Sequence, residues 1–136
     1  MDYLTHWRAY VDAARLQRGN VEVFRGVFTP REDQPVVRRD GPPPGIADYR
    51  IDIPRDGEYQ ISLLYASAEP RPLRLILDGR EAVHSLCAQS TGGWNLDNQK
   101  WEVAGSFHLT GGARALTLVS DGAFPVLRMI RLVRSE

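Results

Sequence analysis

Cysteine is nearly missing: Cys87 is alone in the 136 residues, so no internal disulfide can staple the chain. Lysine is nearly missing too, since 16 of the 17 basic residues are arginine. Neither sign of charge is in excess. Lys+Arg and Asp+Glu are both 17, and the formal net charge is +0. The balance holds locally: residues 1–68 carry nine basic and ten acidic groups, and residues 69–136 carry eight and seven. A nucleic-acid binder would show a basic stripe, so that class is excluded. No apolar run approaches the roughly 20 residues that span a bilayer, so no membrane partner is expected. The start, MDYLTHWRAYVDAARLQRG, lacks an apolar signal core and is too acidic for a transit peptide. The expected location is cytoplasmic if the chain is free-standing; a segment of a longer protein is the other reading. The three histidines (His6, His84, His108) form no His-x-x-His pair and lie near no Cys-x-x-Cys, so zinc is not expected. Cys87 reads as a small buried hydrophobe. In a strand, His84 would point to the opposite face from it.

What is present is an ordinary globular composition, 43% hydrophobic and 25% charged, in a chain long enough to bury a core unaided. Residues 2–18 read as an amphipathic helix. Leu4, Trp7, Val11 and Ala14 recur at three- and four-residue spacing, Asp2 can cap the start, and Gly19 can end it. Trp7 is the expected docking anchor, and the helix is a candidate contact for a neighbouring domain or a second copy. The expected division is therefore a helix over 1–19 and a β-sandwich over 20–136.

After Gly19 the period shortens towards two. Residues 21–28 read as a strand or two short ones. A loop rich in proline and charge follows, with a short strand at 35–39 and the run GPPPG at 41–45, which can be neither helix nor central strand. Ala47, Tyr49, Ile51 and Ile53 then alternate with polar residues. The turn PRDG leads to Tyr59, Ile61 and Leu63, and Asp78-Gly79 is a two-residue hairpin signal after Leu75 and Leu77. Trp101 and Phe107 share a strand region in which Ala104-Gly105 can insert a bulge, and Leu116 and Leu118 belong to the next strand. These nine residues from Tyr59 to Leu118, Trp101 among them, are the expected core. Eight or nine short strands with turns every 8–12 residues predict an all-β antiparallel sandwich, a jelly roll.

Residues 88–100, AQSTGGWNLDNQK, do not read as packing. The loop carries one large aromatic, Trp94, with Asn95, Asp97, Asn98 and Gln99 following. A plug folded back on the sandwich edge is one reading. An aromatic platform for the apolar face of a sugar, with amides and a carboxylate for its hydroxyls, is the other.

From Ala47 to Val133 the sequence resembles β-sandwich carbohydrate-binding modules of families six and thirty-five. The matching pieces are DIPRDGEYQISLLYAS (52–67), LRLILDGRE (73–81), STGGW (90–94) and SFHLTGGARALTLV (106–119), in the family order. The resemblance implies the sandwich fold, and it places Trp94 at the sugar platform on the loop rim. Three departures stand out. The family's sugar-binding Asn before the last strand is absent from Phe124-Pro125-Val126-Leu127. The acidic calcium ligand after it is replaced by Leu127 and Arg128. The acidic pair of the first strand is reduced to Glu22. No calcium and no other cofactor is therefore expected.

Three functions compete. The first is a non-catalytic carbohydrate-binding module with weak glycan recognition at Trp94, accessory to a larger carbohydrate-active or glycan-modifying protein. The second is a structural or protein-interaction sandwich that has lost the sugar site. An enzyme ranks last: Asp48, Asp52, Asp56 and Glu58 read as a solvated face, not as a carboxylate pair in a cleft, so no catalytic residue is assigned.

Overall fold

The computed structural model describes residues 7–25 and 34–134. The strands are β1 (Arg8–Asp12), β2 (Arg18–Gly19), β3 (Glu22–Phe24), β4 (Val36–Arg39), β5 (Gly45–Ile53), β6 (Gly57–Ala66), β7 (Leu73–Leu77), β8 (Arg80–Leu86), β9 (Lys100–Leu109), β10 (Gly112–Ser120) and β11 (Phe124–Arg134). They form two antiparallel sheets. One runs β3-β4-β11-β6-β9, with β1 also on β11; the other runs β2-β5-β10-β7-β8. The inward residues of β5, Ala47, Tyr49, Ile51 and Ile53, meet Tyr59, Ile61 and Leu63 of β6 in one core with Leu116 and Leu118. Period-two alternation explains β5, whose outer residues after Ile46 are the polar Asp48, Arg50 and Asp52. β11 is buried along most of its length because strands flank it on both sides.

The expected N-terminal helix is not found. Residues 2–6 lie outside the described residues, and the described residues contain no α-helix, only one turn of 3₁₀ helix at Leu96–Asn98. Arg8–Asp12 is a strand paired with Met129–Val133. The four-residue spacing of Trp7 and Val11 is even, so it suits one face of a strand as well as one face of a helix. The contact that decides between them comes from the far end of the chain. Ala13 N donates to the Arg128 carbonyl at 3.1 Å, Arg134 N donates to the Trp7 carbonyl at 3.0 Å, and Arg128 Nη1 meets Asp12 Oδ1 at 2.7 Å. Trp7 still docks, edge-on to Tyr59 at 5.4 Å between ring centroids. Gly19 ends no helix; it lies in β2 with φ +149°, and Gln17 to Asn20 bind β5. Among the described residues no helix is left to contact a neighbour, because β1 and β2 belong to the two sheets.

A second correction concerns Trp101, which is 39% exposed and not core. β9 pairs Ile61 with Gly105 but Ser62 with Val103, so Ala104 is the extra residue of a bulge. Phe107 keeps the inward phase. Beyond the bulge the phase reverses, and Val103 and Trp101 turn outward. Leu77 and Phe107 pack on the core from partly buried positions. The Asp78-Gly79 hairpin forms as expected, with φ of 48° and 83°.

Tyr49 ties the N-terminal segment to the core, its hydroxyl donating to the Ala13 carbonyl at 2.7 Å in a buried setting. Tyr49→Phe removes that donor. The unfolding free energy should fall by about 1–2 kcal/mol, read as a lower urea midpoint at unchanged slope.

Candidate functional site

The segment between β8 and β9 is held to the end of β6 by Ser67. Ser67 N donates to Thr91 Oγ1 at 2.9 Å, Thr91 N donates to the Ser67 carbonyl at 2.8 Å, and Ser90 Oγ donates to the same carbonyl at 3.1 Å. Two glycines then let the chain turn. Gly92 has φ +99°, and a Cβ on Gly93 would run into the Asn98 side chain. This places Trp94 half-buried on the rim, against a small apolar cluster of Val36, Ala66 and Val126 with Phe24. Val126 stands in the stretch where the resembling family carries its sugar-binding Asn, and here it is part of that cluster.

Two arginines that sequence reasoning did not single out complete the site. The Arg38 guanidinium carbon lies 4.5 Å from the Trp94 ring centroid, and that of Arg71 lies 4.3 Å from it. Each position suits a cation–π contact. Asp40 Oδ1 accepts from Arg38 Nε at 3.2 Å and from Arg71 Nη1 at 2.8 Å. Arg71 Nη1 also reaches the Phe124 carbonyl at 3.1 Å, and its Nε faces Glu69 at 3.4 Å. Burial pushes the Asp40 carboxyl up, but the hydrogen bonds and charges of Arg71 and Arg38 outweigh it and hold the group below the ordinary carboxylate range. The available signal was Arg71 itself, a lone cation between Pro70 and Pro72 in a loop.

The expected polar partners divide. Asn95 and Asp97 are exposed on the rim beside Trp94. Asn98 is occupied internally, its Oδ1 accepting from Asn95 N at 3.3 Å. Gln99 is partly buried, with Nε2 unpartnered among the described residues. Arg71 also lines an open cavity of about 210 Å³ with Glu69, Arg74, His84, Ser120 and Asp121. That is below the roughly 300 Å³ of usual small-molecule sites, so this hollow beside Arg71 offers shallow contact.

Leu127 is buried in the core, and Arg128 is spent on Asp12. Among the described residues no group of three His, Cys, Asp or Glu is placed to hold a metal ion. Cys87 is buried behind the rim, with its N–H donating to Glu102 Oε2 at 2.8 Å. Burial, reinforced by the Glu102 carboxylate, pushes its thiol well above the ordinary value. The thiol should therefore stay unmodified by a disulfide reagent at neutral pH, and react fully once the chain is unfolded in denaturant.

Two antiparallel sheets stacked as a sandwich are what the comparison with solved structures rests on. The fold is that of family 6 and family 35 carbohydrate-binding modules. The C-terminal family 6 module of LamC, a marine laminarinase from Zobellia galactanivorans, superposes with a TM-score of 0.75 at 20% identity, over 94% of this chain and 100% of that one. A family 35 module from Clostridium thermocellum gives 0.74 at 16% identity, over 93% and 97%. The Podospora anserina GH26-CBM35 β-(1,4)-mannanase gives 0.69 at 16% identity, over 95% of this chain and 28% of that one. No protein-family model matches the sequence. No curated protein matches it either.

Proposed function

We propose that this chain is a non-catalytic carbohydrate-binding module that takes a glycan at the loop rim around Trp94. The supporting observation is a sugar-module fold over nearly the whole chain with an indole on its rim, between the exposed Asn95 and Asp97 and the guanidinium groups of Arg38 and Arg71. The sugar meets the open part of the indole. The arginine N–H groups take the donor role that the resembling family gives to Asn. An accessory role beside a catalytic domain agrees with the fold's occurrence as 28% of the mannanase chain. One half-open aromatic contributes roughly 1 kcal/mol beyond area burial, and each net hydrogen bond about the same. The affinity should then lie near the millimolar end, about 4–5 kcal/mol.

A second reading, a protein-interaction sandwich without sugar binding, is favoured by one observation: the two guanidinium groups already lie over the Trp94 ring. A glycan array probed with the full chain decides between the two. Retention on at least one class of oligosaccharide, lost in the Trp94→Leu variant, supports the sugar module. Silence across the array at millimolar glycan supports the interaction reading.

A further inference from the structure

The side of the sandwich bounded by β8 and β9 differs chemically from the rim. Among the described residues β9 pairs with β6 alone, so ten residues of strand, roughly 33 Å, run along a sheet edge. A long unpaired edge is a template for another strand. Beyond the bulge its outer face is apolar, with Val103 52% and Trp101 39% exposed and Trp101 in register with Leu64, whereas Ser106 and His108 are exposed on the other side of the bulge. Behind the same strand a cavity of about 660 Å³ opens towards the β7–β8 hairpin, lined by Leu77, Ala82, Phe107 and His108 among others.

The charges on this side are unbalanced. Arg131 lays its guanidinium over Trp101 at 4.3 Å, and its Nε is buried without a partner among the described residues. Ser62, one row across from Arg131, is 1% exposed, and its hydroxyl is likewise unpartnered among them. Lys100, Arg80 and Arg131 make no ion pair among the described residues. Of the acids on this side, Glu102 holds Cys87 N, Glu81 holds Arg74 and His84, and Asp78 holds Arg114, which leaves the exposed Glu58, in register with His108, against three cations.

We propose that β9 is a docking edge for an extended acidic segment of another polypeptide, which adds as a strand beside it. Alternate side chains of such a segment would face Trp101, Val103 and Arg131 on one side and the cavity on the other. Its carboxylates would meet the cations that the chain itself leaves unpaired. A second copy of this chain is a poorer occupant, because Lys100 and Arg131 would face their own like. A neutral glycan is poorer too, because Val103 and Leu64 beside the indole offer no partner for hydroxyls. The proposal is independent of the Trp94 site and survives if that site binds nothing.

The test uses the full chain and two synthetic peptides about ten residues long, one alternating valine with glutamate and the other valine with lysine. The glutamate peptide should bind with a dissociation constant at or below about 1 mM and slow hydrogen exchange at alternate β9 amides. The lysine peptide, and the Arg131→Gln and Trp101→Ser variants, should each bind about tenfold or more weakly. Should Arg131→Gln fail to fold, Lys100→Glu tests the same charge dependence. Absence of β9 protection with either peptide overturns the proposal. So does competition at Trp101 by polygalacturonate where the glutamate peptide has no effect, which would mark an anionic-glycan face. Concentration-dependent dimerisation abolished by Trp101→Ser would assign the edge to self-association and overturn it as well.

Discussion

Arg71→Ala should lower the unfolding free energy by about 2–3 kcal/mol, among the largest effects of any single side chain at the loop end. The side chain is only 9% exposed, and it holds four things at once: Asp40, Glu69, the Phe124 carbonyl and the Trp94 ring. The carboxylates are not the main loss. Asp40 and Glu69 are 59% and 63% exposed, so water replaces the guanidinium readily and little of the ion-pair energy is at stake. The Phe124 carbonyl is different, because that bond is buried and its loss is not made good by water as readily. Loss of the stem packing and of the contact with the indole adds to this. Arg71→Lys should recover less than half, since an ammonium cannot serve the carbonyl, the carboxylate and the ring face together.

The same variant should change the acid limb of stability. In the folded chain Arg71 and Arg38 outweigh burial and hold the Asp40 carboxyl below the ordinary carboxylate range. A depressed carboxyl contributes stability that is present above the unfolded value and lost as pH falls through the folded one. The wild-type chain should therefore lose stability below about pH 4 in part through Asp40. In Arg71→Ala that part of the slope should shrink, because the Arg71 hydrogen bond that lowers Asp40 most is gone. Urea titrations across the acid range compare the two slopes directly. An unchanged slope would show that Arg38 alone sets the carboxyl.

Most of the sandwich was legible because its signals are local. Alternation in β5 and β6, the Asp78-Gly79 hairpin and the turn before β10 each follow from a few neighbouring residues. The failures share one cause, a dependence on partners far along the chain. Trp7 and Val11 fit a strand and a helix equally, and only β11, more than a hundred residues later, selects the strand. The bulge at Ala104 could be suspected from Ala-Gly, but its consequence for Trp101 depends on the register with β6. The rim was half-legible in the same way. Thr-Gly-Gly-Trp marks a loop that offers an indole. Nothing near it in sequence announces that Arg38 from β4 and Arg71 from the β6–β7 loop converge on that ring, with Asp40 between them.

That convergence changes what Trp94→Ala should do. A bare platform residue could be removed at almost no cost to folding, and a melting temperature within a few degrees of wild type would follow. Trp94 instead packs on Val36, Ala66 and Val126 and receives two guanidinium groups. Full truncation of a buried tryptophan costs about 3–5 kcal/mol. A half-buried one with two cation–π contacts should cost about 2–3 kcal/mol, or roughly 8–12 °C for a chain of this size. Alanine therefore confounds the two roles, because a loss of glycan binding could follow from a loosened rim. Trp94→Leu separates them. Leucine keeps apolar bulk over the cluster, so stability should fall by only about 1 kcal/mol, while the flat ring that faces a pyranose is gone. Under the proposed function, oligosaccharide retention measured well below the melting transition should vanish in Trp94→Leu and persist, weakened several-fold, in Asn95→Ala. If Trp94→Leu melts near wild type and still retains the same oligosaccharides, the indole is a packing residue and the sugar binds elsewhere on the sandwich. If Trp94→Leu instead loses as much stability as alanine, the ring's chief partners are Arg38 and Arg71, and the rim is better understood as a folded arginine–tryptophan clasp than as a platform.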